Sequence, residues 1–119
     1  MSSALSDPAD TLAAALARAE ADVADVTEQL VAIAESTALV PDDEHDAEGA
    51  TIGFERARLR SLLARAEAAV HELRAAADRH SDGSYGRCTG CGGAITAARL
   101  AALPSTPHCL TCAATRDRW

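Results

Sequence analysis

From Leu12 onward, small and apolar residues recur at Leu12, Leu16, Ala19, Val23, Val26, Leu30, Ile33, Thr37 and Val40, in steps that alternate four and three. That spacing is a heptad seam on a helix. The positions facing away from it carry Glu20, Asp22, Asp25, Glu28 and Glu35. Asp7-Pro8 supplies the start, with Asp at the N-cap, Pro at the first helical position and Asp10 in the first turn. Pro41 supplies the stop, because the residue before a proline avoids helical torsions, so the helix should end near Leu39 or Val40. A second seam runs through Ile52, Arg56, Leu59, Leu63, Ala66, Val70, Leu73, Ala77 and His80, with Phe54 and Leu62 expected to flank it. Two such helices joined by about ten residues bury their seams by folding back on each other. The expected product is an antiparallel coiled-coil hairpin roughly 45 Å long. A hairpin inside a coiled-coil dimer is the alternative, and the short turn favours pairing within one chain.

The second helix is expected to fray at His80-Ser81-Asp82-Gly83, and the rest of the chain reads differently. All four cysteines lie between Cys88 and Cys112, as CTGC, seventeen residues and CLTC. A two-residue gap lets one tight loop aim two sulfurs at one metal, and Gly90, Gly92 and Gly93 make such a loop possible. Two pairs at this separation fit a four-thiolate zinc site. Disulfides would require an oxidising compartment, and the opening MSSALSDPAD has neither the basic start nor the apolar run of a signal peptide. A single Cys-x-x-Cys could be redox-active, but two favour metal. Cys88, Cys91, Cys109 and Cys112 are therefore read as ligands of one structural Zn²⁺, with no coordination position left open for catalysis. About 25 residues cannot bury a useful core, and structural zinc contributes roughly 10–16 kcal/mol of coupled folding free energy in small units of this kind.

The expected architecture is all-α dominated. It comprises a disordered N-terminus at 1–7, a hairpin over 8–82 with an acidic tip at 41–50, and a C4 finger with a short C-terminal helix over 83–119. Trp119 is expected to cover the foot of the hairpin. The scarcity of aromatics argues against a large globular core: Phe54, Tyr85 and Trp119 are the only ones in 119 residues. No apolar run reaches the ~18 residues of a membrane span, so a cytoplasmic protein is expected.

Charge narrows the partner. The net charge is −7, from 11 basic and 18 acidic residues, and all the basic residues are arginine. Residues 1–50 hold twelve acids and only Arg18, whereas 51–119 hold ten arginines and six acids. Between Cys88 and Cys112 Arg99 is the only arginine, which is not the clustered basic surface that phosphate binding needs. Direct sequence-specific DNA binding is not expected, and Arg99 reads better as a local hydrogen-bonding residue. Cross-helix pairs between the acidic first helix and the arginines of the second would set register more than stability. Arg56, on the seam, should snorkel toward water or meet a tip acid.

The tip segment, Asp42 to Gly49, has five acids in eight residues. Asp46 could cap the second helix, or Asp43 and Asp46 could hold Mg²⁺ through carboxylates and waters, and the sequence does not separate these readings. His45 reads as a solvated loop residue able to titrate near neutrality. His71 should be exposed, His80 should close the seam near a helix C-terminus, and His108 is not needed beside four thiolates.

The whole layout resembles the DksA/TraR family of bacterial transcription regulators. The residues that carry the resemblance are Tyr85, Gly86, Cys88, Cys91, Gly92, Ile95, Arg99, Leu100, Ala102, Pro104, Cys109 and Cys112, with Asp43-Glu44-His45-Asp46-Ala47 looking like the family's Asp-x-x-Asp tip. The resemblance implies a regulator that binds RNA polymerase without DNA contact, with the hairpin in the secondary channel and Asp43, His45, Asp46 and Ala47 near the polymerase active site. It implies a chain that is monomeric when free. Two positions differ from the pattern of members that respond to ppGpp: Leu103 stands where Arg is common and Ala113 where Lys is common, so nucleotide binding is not carried over. Glu48 stands where fuller tips have Ala. A zinc-finger adaptor with an inert tip is the competing function, and a thiol-based redox or zinc sensor a third. No nucleophile–base pair or phosphate loop points to an enzyme.

Overall fold

In the computed structural model of the protein, residues 7–38 and 47–116 are described. They form four helices: α1 (Pro8–Ala38), α2 (Ala47–Asp82), α3 (Ala97–Ala102) and α4 (Leu110–Arg116). α1 and α2 make the expected hairpin. The start of α1 follows from Asp7, whose side-chain Oδ1 accepts from Ala9 N–H at 3.1 Å and whose carbonyl accepts from Thr11 N–H at 3.0 Å. Pro8 at the next position has no N–H to satisfy.

The heptad reading holds along both helices. Every described seam position from Leu12 to Thr37 and from Ile52 to His80 is buried or half-buried, while Glu20, Asp22, Asp25, Glu28 and Glu35 are exposed. Phe54 departs from its expected flanking place and is 78% exposed. It lies two residues from each of the seam positions Ile52 and Arg56, about 200° round the helix from either. Leu62 is half-buried beside the seam as expected.

α2 begins at Ala47, so residues 47–50 of the predicted tip are its first turn. Asp43, His45, Asp46, the predicted end of the first helix at Leu39 or Val40, the predicted disordered terminus up to residue 6, and Trp119 lie outside the described residues.

The chain divides into two compact units. One is residues 18–69, the middle of the hairpin, whose buried residues among those described are Ala19, Val26 and Leu59. Here Arg58 pairs with Glu55 one turn back on its own helix, at 2.6 and 3.0 Å. The pair is exposed and of the kind worth a few tenths of a kcal/mol.

The other unit joins residues 1–17, 70–119 and hence the finger, and its described core is Leu12, Leu73, Ala76, Cys88 and Ile95. Ala76 is off the predicted seam yet wholly buried. It lies one turn after Leu73 and one turn before Arg79, whose guanidinium donates to the Ser105 carbonyl at 3.2 Å, so this side of α2 is turned toward the finger. α2 ends as a Schellman motif. Ser84 N–H bonds to the Arg79 carbonyl at 2.9 Å and Gly83 N–H to that of His80 at 3.4 Å, with Gly83 at φ +86°. A glycine meets that torsion without a Cβ penalty.

Candidate metal centre

The two cysteine loops are built by backbone hydrogen bonds. Cys88 N–H bonds to the Gly93 carbonyl at 2.7 Å and Gly92 N–H to that of Cys88 at 2.9 Å, which closes the first loop on itself with Gly92 at φ +77°. Ile95 N–H reaches the Gly86 carbonyl at 2.8 Å, beside an antiparallel bridge between Arg87 and Ala94. In the second loop Ala113 N–H bonds to the Cys109 carbonyl at 3.0 Å and opens α4. Thr89 ties the two loops together: its N–H and its hydroxyl both donate to the Pro107 carbonyl, at 2.8 and 3.2 Å.

This scaffold brings all four sulfurs within 4.8 Å of one another, with Cys91 and Cys109 at 3.9 Å. Four thiolates at ~2.3 Å from one Zn²⁺ in a tetrahedron stand about 3.8 Å apart. The donor set therefore fits one zinc and leaves no ligand position to another residue. Backbone N–H groups point at the sulfurs: Gly90 to Cys88 at 3.3 Å, Gly93 to Cys91 at 3.4 Å and Cys112 to Cys109 at 3.5 Å. Such donors stabilise negative sulfur and orient it. From the protein's own groups, the Cys88 thiol is pushed down to about 6, first by the Cys109 backbone N–H, while Cys112 is pushed up to about 12, first by its hydrogen bond with Cys88. Crowded sulfurs divide protons unequally in this way, and a divalent cation replaces those protons and holds all four as thiolates. The site supplies stability, not chemistry on a substrate, because four protein ligands complete a tetrahedral zinc.

Around the centre, Arg99 does what the sequence led us to expect: Nε donates to the His108 carbonyl at 2.9 Å. Thr96 caps α3, its hydroxyl oxygen accepting from Arg99 N–H at 3.2 Å. Tyr85 donates its hydroxyl to the Pro104 carbonyl at 2.7 Å and meets His80 edge-on at 5.8 Å. The supporting roles of Thr89, Arg79 and Ala76 were not read from the sequence. Thr89 carries no signal beyond its place after Cys88, and Arg79 and Ala76 look like ordinary residues of a helix end. The predicted tip residues Asp43, His45 and Asp46 lie outside the described residues, and Ala47 opens α2.

A helical hairpin followed by a four-cysteine zinc knob defines the class: a C4 zinc-finger protein with a coiled-coil arm. Residues 83–118 match the prokaryotic DksA/TraR C4-type zinc finger. Among solved structures, the transcription factor DksA2 from Pseudomonas aeruginosa has a similar fold, with a TM-score of 0.76 and 22% identity, covering 93% of this chain and 81% of that one. No curated protein sequence matches the chain. No helix among the described residues is long and apolar enough to cross a membrane.

Proposed function

We infer that the protein is a DksA-like transcription regulator that binds RNA polymerase and inserts its hairpin into the secondary channel to modulate initiation. The observation that carries this reading is the joint presence of the DksA/TraR finger and a hairpin whose fold matches a DksA2 transcription factor over 93% of the chain. In the sequence, the acidic segment with Asp43 and Asp46 lies between the two long helices. The tip acts by its carboxylates near the polymerase active site, with Ala47 and His45 beside them. The acidic outer face of α1 suits a partner surface with basic walls, which steers association. The role is regulatory rather than enzymatic, the partner is protein rather than specific DNA, and the place of action is the cytoplasm.

The test is co-purification with core RNA polymerase, followed by competition from a known occupant of the secondary channel. Displacement is expected. Asp43→Asn combined with Asp46→Asn should keep polymerase binding and lose the effect on initiation in vitro; unchanged regulation returns the tip to helix capping. Binding to the polymerase without competition favours the adaptor reading.

A further inference from the structure

The segment from Pro104 to His108 runs straight into Cys109, and its backbone is held from outside. Pro104 and Pro107 fix two torsions within five residues and have no N–H, so the segment is stiff and offers chiefly carbonyls. Four of these carbonyls are each taken by a donor from a different part of the chain. Tyr85 donates its hydroxyl to Pro104 at 2.7 Å, and the Arg79 guanidinium donates to Ser105 at 3.2 Å. Thr89 donates its N–H and its hydroxyl to Pro107, at 2.8 and 3.2 Å, and Arg99 donates Nε to His108 at 2.9 Å. The donors thus stand on α2, on the connector that follows it, beside Cys88 and on α3. Thr106 braces the segment from within: its N–H bonds to the Leu103 carbonyl at 3.1 Å and its hydroxyl to that of His108 at 3.2 Å. All of these residues belong to one compact unit.

Arg79 is the donor that α2 itself contributes. Just before it along the helix, close packing gives out: His71, Glu72 and Ala75 of α2 line a groove of about 480 Å³ with Leu103, Thr106 and Pro107, and Leu103 stays 49% exposed. The bond at Arg79 therefore carries much of the hold between the helix and this segment. At the other end the hold is the metal centre. Cys109 continues the segment, and Cys88 precedes the Thr89 that grips Pro107. We propose that Pro104–His108 couples zinc occupancy to the last turns of α2, with Arg79 as the positioning residue on the helix side. Once both cysteine loops are fixed, the Ser105 carbonyl stands where the guanidinium meets it, and a charge-assisted hydrogen bond closes the end of α2 onto the finger. When Cys88 and Cys109 are free to part, the Pro107 and His108 carbonyls go with them, and a stiff segment passes the shift on to Ser105. Such coupling is reciprocal: the guanidinium strengthens zinc binding by the factor by which zinc strengthens the helix end. The coupling lies within the chain and stands whether or not the proposed function does.

The experiment compares the full-length zinc-loaded protein with Arg79→Met, Arg79→Lys, Tyr85→Phe and, as a control in the other compact unit, Arg65→Met. Zinc affinity is read by competition with a coloured chelator, and amide hydrogen exchange over residues 70–82 is read with zinc bound and after its release. In the wild type, release should speed exchange over 70–82. Arg79→Met should bind zinc about fivefold or more weakly, and its exchange over 70–82 should respond little to zinc. Arg79→Lys should recover part of the affinity, because an ammonium still donates to the Ser105 carbonyl. Tyr85→Phe removes one oxygen and should weaken zinc by a smaller factor; it carries the test if Arg79→Met fails to fold. Arg65→Met should match the wild type, and an equal loss there overturns the assignment to Arg79. Zinc affinity within about twofold of wild type in Arg79→Met and Tyr85→Phe overturns the coupling, as does wild-type exchange over 70–82 that ignores zinc release. Faster exchange in zinc-loaded Arg79→Met at unchanged zinc affinity makes Arg79 a local helix-end residue and also overturns the proposal.

Discussion

Zinc removal separates the two halves of this molecule, and the structure sets the size of the effect. The finger's helices α3 and α4 hold 6 and 7 residues, against 31 and 36 in α1 and α2. Apart from Cys88 and Ile95 the finger buries no apolar side chain among its described residues, so it has little to hold it once four thiolates repel or reprotonate. The coupled free energy lost is on the order of 10 kcal/mol or more, beyond what such a small core replaces. Residues 18–69 form their own compact unit with a seam of their own and contain none of the four cysteines. Release of zinc with a thiol reagent and a chelator should therefore lower the far-ultraviolet helical signal by about one sixth. If the ends of the long helices, residues 8–17 and 70–82, which share a unit with the finger, unravel as well, the loss rises to a little under half. The assay is circular dichroism during release, with one zinc appearing per chain and four thiols becoming titratable. An unchanged spectrum with thiols already reactive refutes the structural metal. Complete loss of helix refutes the independence of the seam.

Three further outcomes follow from particular residues. Leu59, 1% exposed at the middle of the second seam, should cost about 2–5 kcal/mol when cut to alanine, read by urea denaturation, whereas Phe54→Ala should fall within about 0.5 kcal/mol of wild type. Gly83→Ala should cost about 1–2 kcal/mol and lower Tm by about 4–8 °C; a Cβ there meets nothing within 4 Å, so the whole penalty is the +86° torsion. Tyr85 is the only tyrosine, so absorbance at 295 nm reports it alone, and burial holds its hydroxyl pKa above the ordinary 10.0. The neutral form is the one the fold favours, so its contribution to stability is complete below pH 10 and declines as pH rises through the folded value. Its titration midpoint should lie above 10 in the zinc-loaded protein and return toward 10 on chelation; equal midpoints would remove Tyr85 from the finger's packing.

The hairpin was legible because its information is one-dimensional. Apolar spacing in fours and threes states which side of a helix must leave water, and two such stripes about ten residues apart have each other to bury. Asp7-Pro8 is legible for the same reason: a cap acts on backbone groups within a turn of itself, whereas the end of α2, expected to fray from His80, runs to Asp82 before Gly83 closes it. The ligand set was legible because metal geometry restricts spacing more tightly than packing does. Phe54 shows the limit of reading neighbourhood for direction, since closeness to the seam in number put it on the outside in space.

Sequence alone determined the two heptad stripes, the four sulfur donors and the sign of charge along each long helix, since each of these is fixed by residue type and periodicity. Tertiary structure decided what depends on segments meeting: that Thr89 reaches Pro107 across the knob, that Arg79 closes on Ser105, that Ala76 is sealed while Phe54 is left in water. Those contacts join residues 18 and 26 positions apart, and no local spacing rule encodes which carbonyl a side chain will find once the chain has folded over.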